Sequence, residues 1–245
     1  MQASEHVSPQ RDKRGAFYGW WMVGSAALVM TLTTVPLFRS LPTWFVALDK
    51  RFGWTRAQLT WAFALSRAEA GLFGPIEGLL IDRFGSRRMV LTGMLIMGGG
   101  FLLFSRVQEL WHLYLAFIIM SLGFGIGSWI PMLTALNNWF IRRRSFAIAL
   151  ALMSPTIGGV ILVPLIAWAI DPEQYGVDRW RTIAAGIGLV LMVMAFPVSR
   201  LVRNRPEDYG QRPDGETRPA APETSDQTAA LETSNLTEDS PAANE

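Results

Sequence analysis

Gly78-Leu79-Leu80-Ile81-Asp82-Arg83-Phe84-Gly85-Ser86-Arg87-Arg88 interrupts a long apolar run with two glycines, one acid and three arginines, and apolar sequence resumes at Met89. In water this would be an ordinary polar turn. Between two runs of bilayer length it reads as a tight loop on the side of a membrane where arginine is retained. Asp82 falls where the preceding helix ends. The helix dipole disfavours a carboxylate there unless it meets a cation or the positive end of another helix.

Composition points the same way. Of the 245 residues, 50% are hydrophobic and only 17% charged, where a soluble domain carries roughly a quarter charged. The charges are also segregated. Residues 206–245 hold ten acids and two arginines, leaving twenty basic and ten acidic groups in residues 1–205, so a formal −8 sits on the tail and +10 on the rest. Cysteine is absent, which excludes disulfides and thiolate metal sites. No cofactor motif is legible.

Taken in order, residues 1–16 are polar and read as a cytoplasmic N-terminus, with Arg11, Lys13 and Arg14 just before the first apolar run. That run, Phe17 to about Ala47, is far longer than the core of a signal peptide and reads as a retained spanning helix. Pro36 and Pro42 should kink its outer half. Helix two is expected from about Ala57 to Ile81, helix three from Met89 to Ser105, with Gly98, Gly99 and Gly100 allowing close backbone approach. Helix four follows from about Leu110 to Trp139, helix five from Ser145 to Ile170 and helix six from Trp180 to Val202. The expected architecture is all-α: a six-helix transmembrane bundle over residues 17–202. An acidic tail, residues 203–245, lacks the apolar surface to offset ordering and reads as disordered.

Six spans put both termini on one side. Twelve arginines and lysines flank the helices on that side and six on the other, so both termini are expected in the cytoplasm and the chain in the cell membrane. Trp20, Trp21 and Trp139 suit one interfacial belt, and Trp54, Trp111 and Trp180 the other; Trp129 lies deep in helix four.

The spacing G-x-x-x-D-R-x-G-x-R-R, filled here by Gly78, Asp82, Arg83, Gly85, Arg87 and Arg88, resembles the signature loop between helices two and three of the major facilitator superfamily. Tyr18-Gly19-Trp20-Trp21, Phe52-Gly53-Trp54-Thr55-Arg56, Trp139-Phe140 with Arg142-Arg143-Arg144, Trp180-Arg181 and Arg205-Pro206-Glu207-Asp208-Tyr209-Gly210 follow in the manner of bacterial monocarboxylate and oxalate/formate transporters. The resemblance implies alternating-access transport of a small organic anion such as a monocarboxylate, with proton or counter-anion coupling, and a signature loop that latches two halves in one state of the cycle. Arg142–Arg144 are then expected partners of Asp82 within this chain. Facilitators resemble two six-helix halves flanking the substrate cavity, so the resemblance also implies a second six-helix half, on another chain or in a homodimer, beside the lipid bilayer. Ser154-Pro155-Thr156-Ile157-Gly158-Gly159 resembles the Gly-Pro-x-x-Gly-Gly element of facilitator antiporters, and plain close packing of small residues explains it equally.

Charges inside spans are costly and mark functional sites. Arg39 in helix one and Arg67 and Glu69 in helix two fall in one layer, about 12 to 18 Å from the outer ends at ~1.5 Å per residue. With Trp129 they are the substrate-site candidates. In monocarboxylate transporters a basic residue of helix one serves the substrate carboxylate, and the resemblance implies that role for Arg39. Glu69, at similar depth on the neighbouring helix, is then its expected resting counter-charge, unless the two form a purely structural pair. Glu69 lies ~200° around the helix from Arg67, so only one of them faces the cavity. Glu77, nearer the signature loop, is expected to reach its arginines. Gly71, Gly74 and Gly78 share a face with Arg67 and Asp82, where another helix should pack.

An intramembrane enzyme needs a histidine or metal motif within its helices; the only histidines are His6 and His112, and H-E-x-x-H is absent, so the chain is not expected to be an enzyme. A non-transporting remnant or regulatory six-helix protein is the alternative to a transporter.

Overall fold

The structure, a computed structural model, describes residues 18–203. The polar N-terminus and the acidic tail lie outside the described residues. Within them every regular element is a helix: α1 (Gly19–Thr34), a π-helical turn (Val35–Arg39), α2 (Leu41–Phe52), α3 (Arg56–Phe84), α4 (Ser86–Ser105), α5 (Leu110–Phe124), a second π-helical turn (Gly125–Trp129), α6 (Ile130–Trp139), α7 (Arg144–Ile170), α8 (Pro172–Tyr175) and α9 (Arg179–Leu201).

Five runs are long and apolar enough to cross a membrane: Gly19–Arg39, Ser86–Ser105, Leu110–Trp139, Arg144–Tyr175 and Arg179–Leu201. The sixth expected span, α3, is 29 residues long, about 44 Å at ~1.5 Å per residue, which is enough length for a bilayer, but it is not among the five apolar runs. Its composition is diluted by Arg67, Glu69, Glu77, Asp82 and Arg83. Thr55 and Gln58 start it with a reciprocal capping box, the Thr55 amide donating to Gln58 Oε1 at 3.0 Å.

Helix one breaks where its prolines predict. Pro36 has no N–H for Leu32 and Pro42 none for Phe38, so the ladder widens and the Ser40 amide donates to Val35 O at 3.0 Å. The Trp44 indole caps the disturbed segment by donating to Pro36 O at 2.8 Å. Helix four widens likewise at Gly125–Trp129, just ahead of Pro131. The second wide turn is tied to the last turn of α1 by a buried hydroxyl pair, Thr33 and Ser128 at 2.7 Å.

At the centre, α4 lies between α9 and the α5–α6 run, held by backbone contact. A Cβ on Gly93 would sit 2.2 Å from Gly127 Cα, and one on Gly188 would sit 2.7 Å from Gly98 O. With lipid as apolar as leucine, such close packing carries the association that the hydrophobic effect carries in water. Gly98 and Gly100 meet α9 and α5 as expected, whereas Gly99 touches only the tip of Met192. Met94, Met97, Phe101, Phe104, Phe117 and Met120 fill the space around them.

The two ends are closed differently. At the signature-loop end, Tyr18 donates to Leu201 O (3.0 Å), Trp139 donates to Arg203 O (3.0 Å), and the Arg203 guanidinium lies 3.9 Å from the Tyr18 ring centroid. Trp139 and Trp180 are therefore wholly buried, not members of interfacial belts: each plugs one end of the bundle. Trp20, Trp21 and Trp111 are exposed as belt residues should be. At the opposite end, Lys50–Glu173 (3.0 Å), Arg51–Asp178 (2.7 Å) and Arg181–Asp178 (3.5 Å) tie α2 to α8 and α9. Asp178 is 56% exposed, and ion pairs so open to water contribute little. Asp178→Asn is expected to cost less than about 1 kcal/mol, read as a small drop in thermal unfolding midpoint.

Candidate functional site

The two π-helical turns and the middle of α3 enclose an open cavity of about 530 Å³. Helix one contributes Thr34, Phe38 and Arg39; the α5–α6 run contributes Phe124, Gly125 and Trp129; α3 contributes Ser66, Arg67 and Glu77. A π-helical turn inserts one residue and turns the neighbouring side chains out of helical register, which is why such turns recur at functional sites. Here both turns do so toward the same space.

Three of the four candidates converge on this cavity. Arg39 is exposed to it, and its Nη2 donates to Thr156 Oγ1 of α7 at 2.9 Å. The Arg67 guanidinium rests over two aromatic rings, 4.7 Å from the Phe38 centroid and 5.0 Å from the Phe63 centroid. Trp129, 43% exposed, forms part of the wall. Glu69 does not line the cavity: it is buried, with no hydrogen-bond partner for either oxygen. The two residues do point apart, and Arg67 is the one that faces the cavity. The resting Arg39–Glu69 pair is not formed, because Thr156 holds Arg39 while Glu69 looks into the bundle.

Glu77 departs most from expectation. It makes no ion pair with the signature arginines among the described residues. It is 4% exposed, lines the cavity, and packs onto the second π-helical turn so closely that a Cβ on Gly125 would lie 2.1 Å from its Oε1. The available signal was angular. Ten residues along a helix bring Glu77 to within ~80° of Arg67.

In the signature loop, Gly85 alone links α3 to α4, with φ +76° and ψ 156°, a conformation open essentially to glycine. Asp82, Arg83, Arg87 and Arg88 are exposed. Among the described residues no ion pair joins Asp82 to Arg142–Arg144. A Cβ on Gly71, Gly74 or Gly78 would meet nothing within 4 Å, so no helix among the described residues packs on the glycine face of α3. In the Ser154–Gly159 segment Gly158 packs on Thr31 of α1, Ser154 donates to Ala27 O (3.1 Å), and Thr156 accepts from Arg39.

Chemically, two guanidiniums beside phenylalanine and tryptophan suit an anion with an apolar body, since planar donors can bond both carboxylate oxygens.

The model of the Major Facilitator Superfamily matches residues 15–236. Monocarboxylate transporter 13 of Bos taurus is 30% identical over 179 residues, 73% of this chain and 39% of that protein. Monocarboxylate transporter 11 of Homo sapiens is 31% identical over 155 residues, covering 62% and 33%. The MFS-type transporter pynF of Aspergillus niger is 26% identical over 199 residues, covering 79% and 44%. The chain thus spans about two-fifths of the length of the first curated relatives it matches. With its all-helical fold, its apolar spanning helices and its complete signature loop, this chain belongs to the Major Facilitator Superfamily of membrane transporters.

Proposed function

We propose that the chain takes part in moving a small organic anion of monocarboxylate type across the cell membrane by alternating access, with Arg39 as the anion anchor. The observation that carries this is that Arg39 and Arg67 line one cavity beside Phe38 and Trp129. The names of the mammalian relatives support the substrate class. Arg67 sets the aromatic wall and adds positive field, and the signature loop, with Gly78, Asp82, Arg83, Gly85, Arg87 and Arg88, gates the cycle.

A second six-helix bundle is the partner that fits the open glycine face of α3, supplied by another chain, a second copy or further sequence. The narrower likeness to bacterial monocarboxylate and oxalate/formate members rests on the motifs quoted from the sequence.

The test is calorimetric titration of the purified protein with pyruvate, and with pyruvamide as the uncharged control. Saturable binding of the acid alone is expected; equal binding of both, or of neither, overturns the reading. Both termini are placed in the cytoplasm. A single cysteine at Gln174 should react with impermeant thiol reagents in intact cells, and one at Ser234 should react only after lysis. The reverse pattern would invert the topology.

A further inference from the structure

Among the described charged residues, Glu77 has the least conventional setting. Its carboxyl is almost wholly removed from solvent yet forms part of the cavity wall, and its Oε1 has no hydrogen-bond partner. It sits in a niche that exists because residue 125 is glycine and because the π-helical turn begins there. The titratable and charged groups that can face it are few. On its own helix they are Arg67 and Glu69 on one side and Asp82 and Arg83 on the other, the last two exposed at the signature loop. Across the cavity there is Arg39 of helix one, and the first turn of α4 carries the exposed Arg87 and Arg88. The α4 run from Met89 to Ser105, the α5–α6 run from Leu115 to Trp139 and α7 from Ser145 to Ile170 carry no titratable side chain.

Among the described residues no ion pair joins Glu77 to any of these arginines. Arg67 lies ten residues, about 15 Å, along α3 and folds back over Phe63, away from Glu77. Arg39 is held by Thr156. An ionised carboxylate in such a niche would be left uncompensated, at a cost of several kcal/mol. A bound proton removes the charge and supplies an O–H that can donate.

We propose that Glu77 is a proton-binding site of the cavity, set in the Gly125 niche and exchanging its proton with cavity water. It is a cation site separate from the arginine pair, so a proton and an anion can occupy the cavity together. The assignment does not require that Arg39 bind an anion, and its test contains no substrate.

The experiment treats the full-length protein in lipid nanodiscs with dicyclohexylcarbodiimide, which adds to protonated carboxyls in apolar surroundings, and maps the adduct by mass spectrometry across a pH series. Adduct on Glu77 is expected in acid and should fall by more than about tenfold in alkali, because the occupancy of one proton site drops about tenfold per pH unit beyond its midpoint. No adduct at any pH, or an adduct independent of pH, would overturn the proposal. A second measurement uses infrared difference spectra between acid and alkali. Glu77→Gln should remove a protonated-carboxyl C=O band that Glu69→Gln leaves in place, and a band unchanged in Glu77→Gln would equally overturn it.

Discussion

Arg39→Gln is expected to weaken pyruvate binding by about a hundredfold while leaving the protein folded. Glutamine keeps most of the length and a donor, so the contact to Thr156 can be largely replaced. What it cannot replace is the charge and the two-pronged fork that meets both carboxylate oxygens. Removing one partner of a buried charge pair costs roughly 2–5 kcal/mol, and ~1.4 kcal/mol is tenfold in affinity; Arg39 is exposed to the open cavity, so the lower part of that range applies and gives about two orders of magnitude. Arg39→Lys should fall between, keeping the charge and losing the fork. Arg67→Gln should lose less affinity, because its guanidinium already lies against Phe38 and Phe63 and contributes field more than contact. Thermal unfolding separates binding from folding in each variant. Pyruvate affinity within about twofold of the parent in folded Arg39→Gln would remove the anchor role.

How much of this was legible in the sequence depends on whether one helix or two were needed to see it. The spanning helices were readable from single runs, because only an apolar stretch bounded by arginines or glycine can end where lipid ends. Helix three, read as Met89–Ser105, is α4, Ser86–Ser105. The break in helix one was written in Pro36 and Pro42, although the wide form of the turn was not. Depth along each helix put Arg39 and Arg67 in one layer, and both line the same cavity. What faces a residue belongs to the other helix, and there the reading thinned out. Glu77 was assigned to arginines nearby in sequence, whereas its neighbour is Gly125, 48 residues on and brought over by a turn that sequence marks only through Pro131. Arg39 was matched with Glu69 on charge and depth, and a neutral threonine of α7 took the bond. Trp139 and Trp180 fit interfacial belts by position in the chain, but rings at helix ends can turn inward as readily as outward.

The glycines make the same point and yield the second large effect. Gly93→Ala is expected to destabilise the bundle by about 3 kcal/mol or more, at the upper end of overpacking costs, since the new methyl meets backbone that cannot rotate away. Its Cβ would stand 2.2 Å from both Cα and N of Gly127 and 2.7 Å from the Gly123 carbonyl, so α4 and the α5–α6 run must separate. That separation also moves the π-helical turn bearing Gly125 and Trp129, so the cavity should lose its shape before the helices unfold. Gly74→Ala is the contrasting case. On α3 a Cβ there meets nothing, and alanine is favoured over glycine within a helix by about 1 kcal/mol. Gly74→Ala should therefore be neutral or stabilising in this chain by itself. If a second six-helix bundle closes on that face, the same methyl should weaken the assembly while leaving the isolated chain intact. Unfolding of each variant in detergent, alongside crosslinking of the protein in membranes, reads the two effects separately. A Gly93→Ala protein as stable as the parent would contradict the packing between α4 and α5–α6. Crosslinking unchanged by Gly74→Ala and by bulkier residues at Gly71 and Gly78 would remove α3 as the partner face.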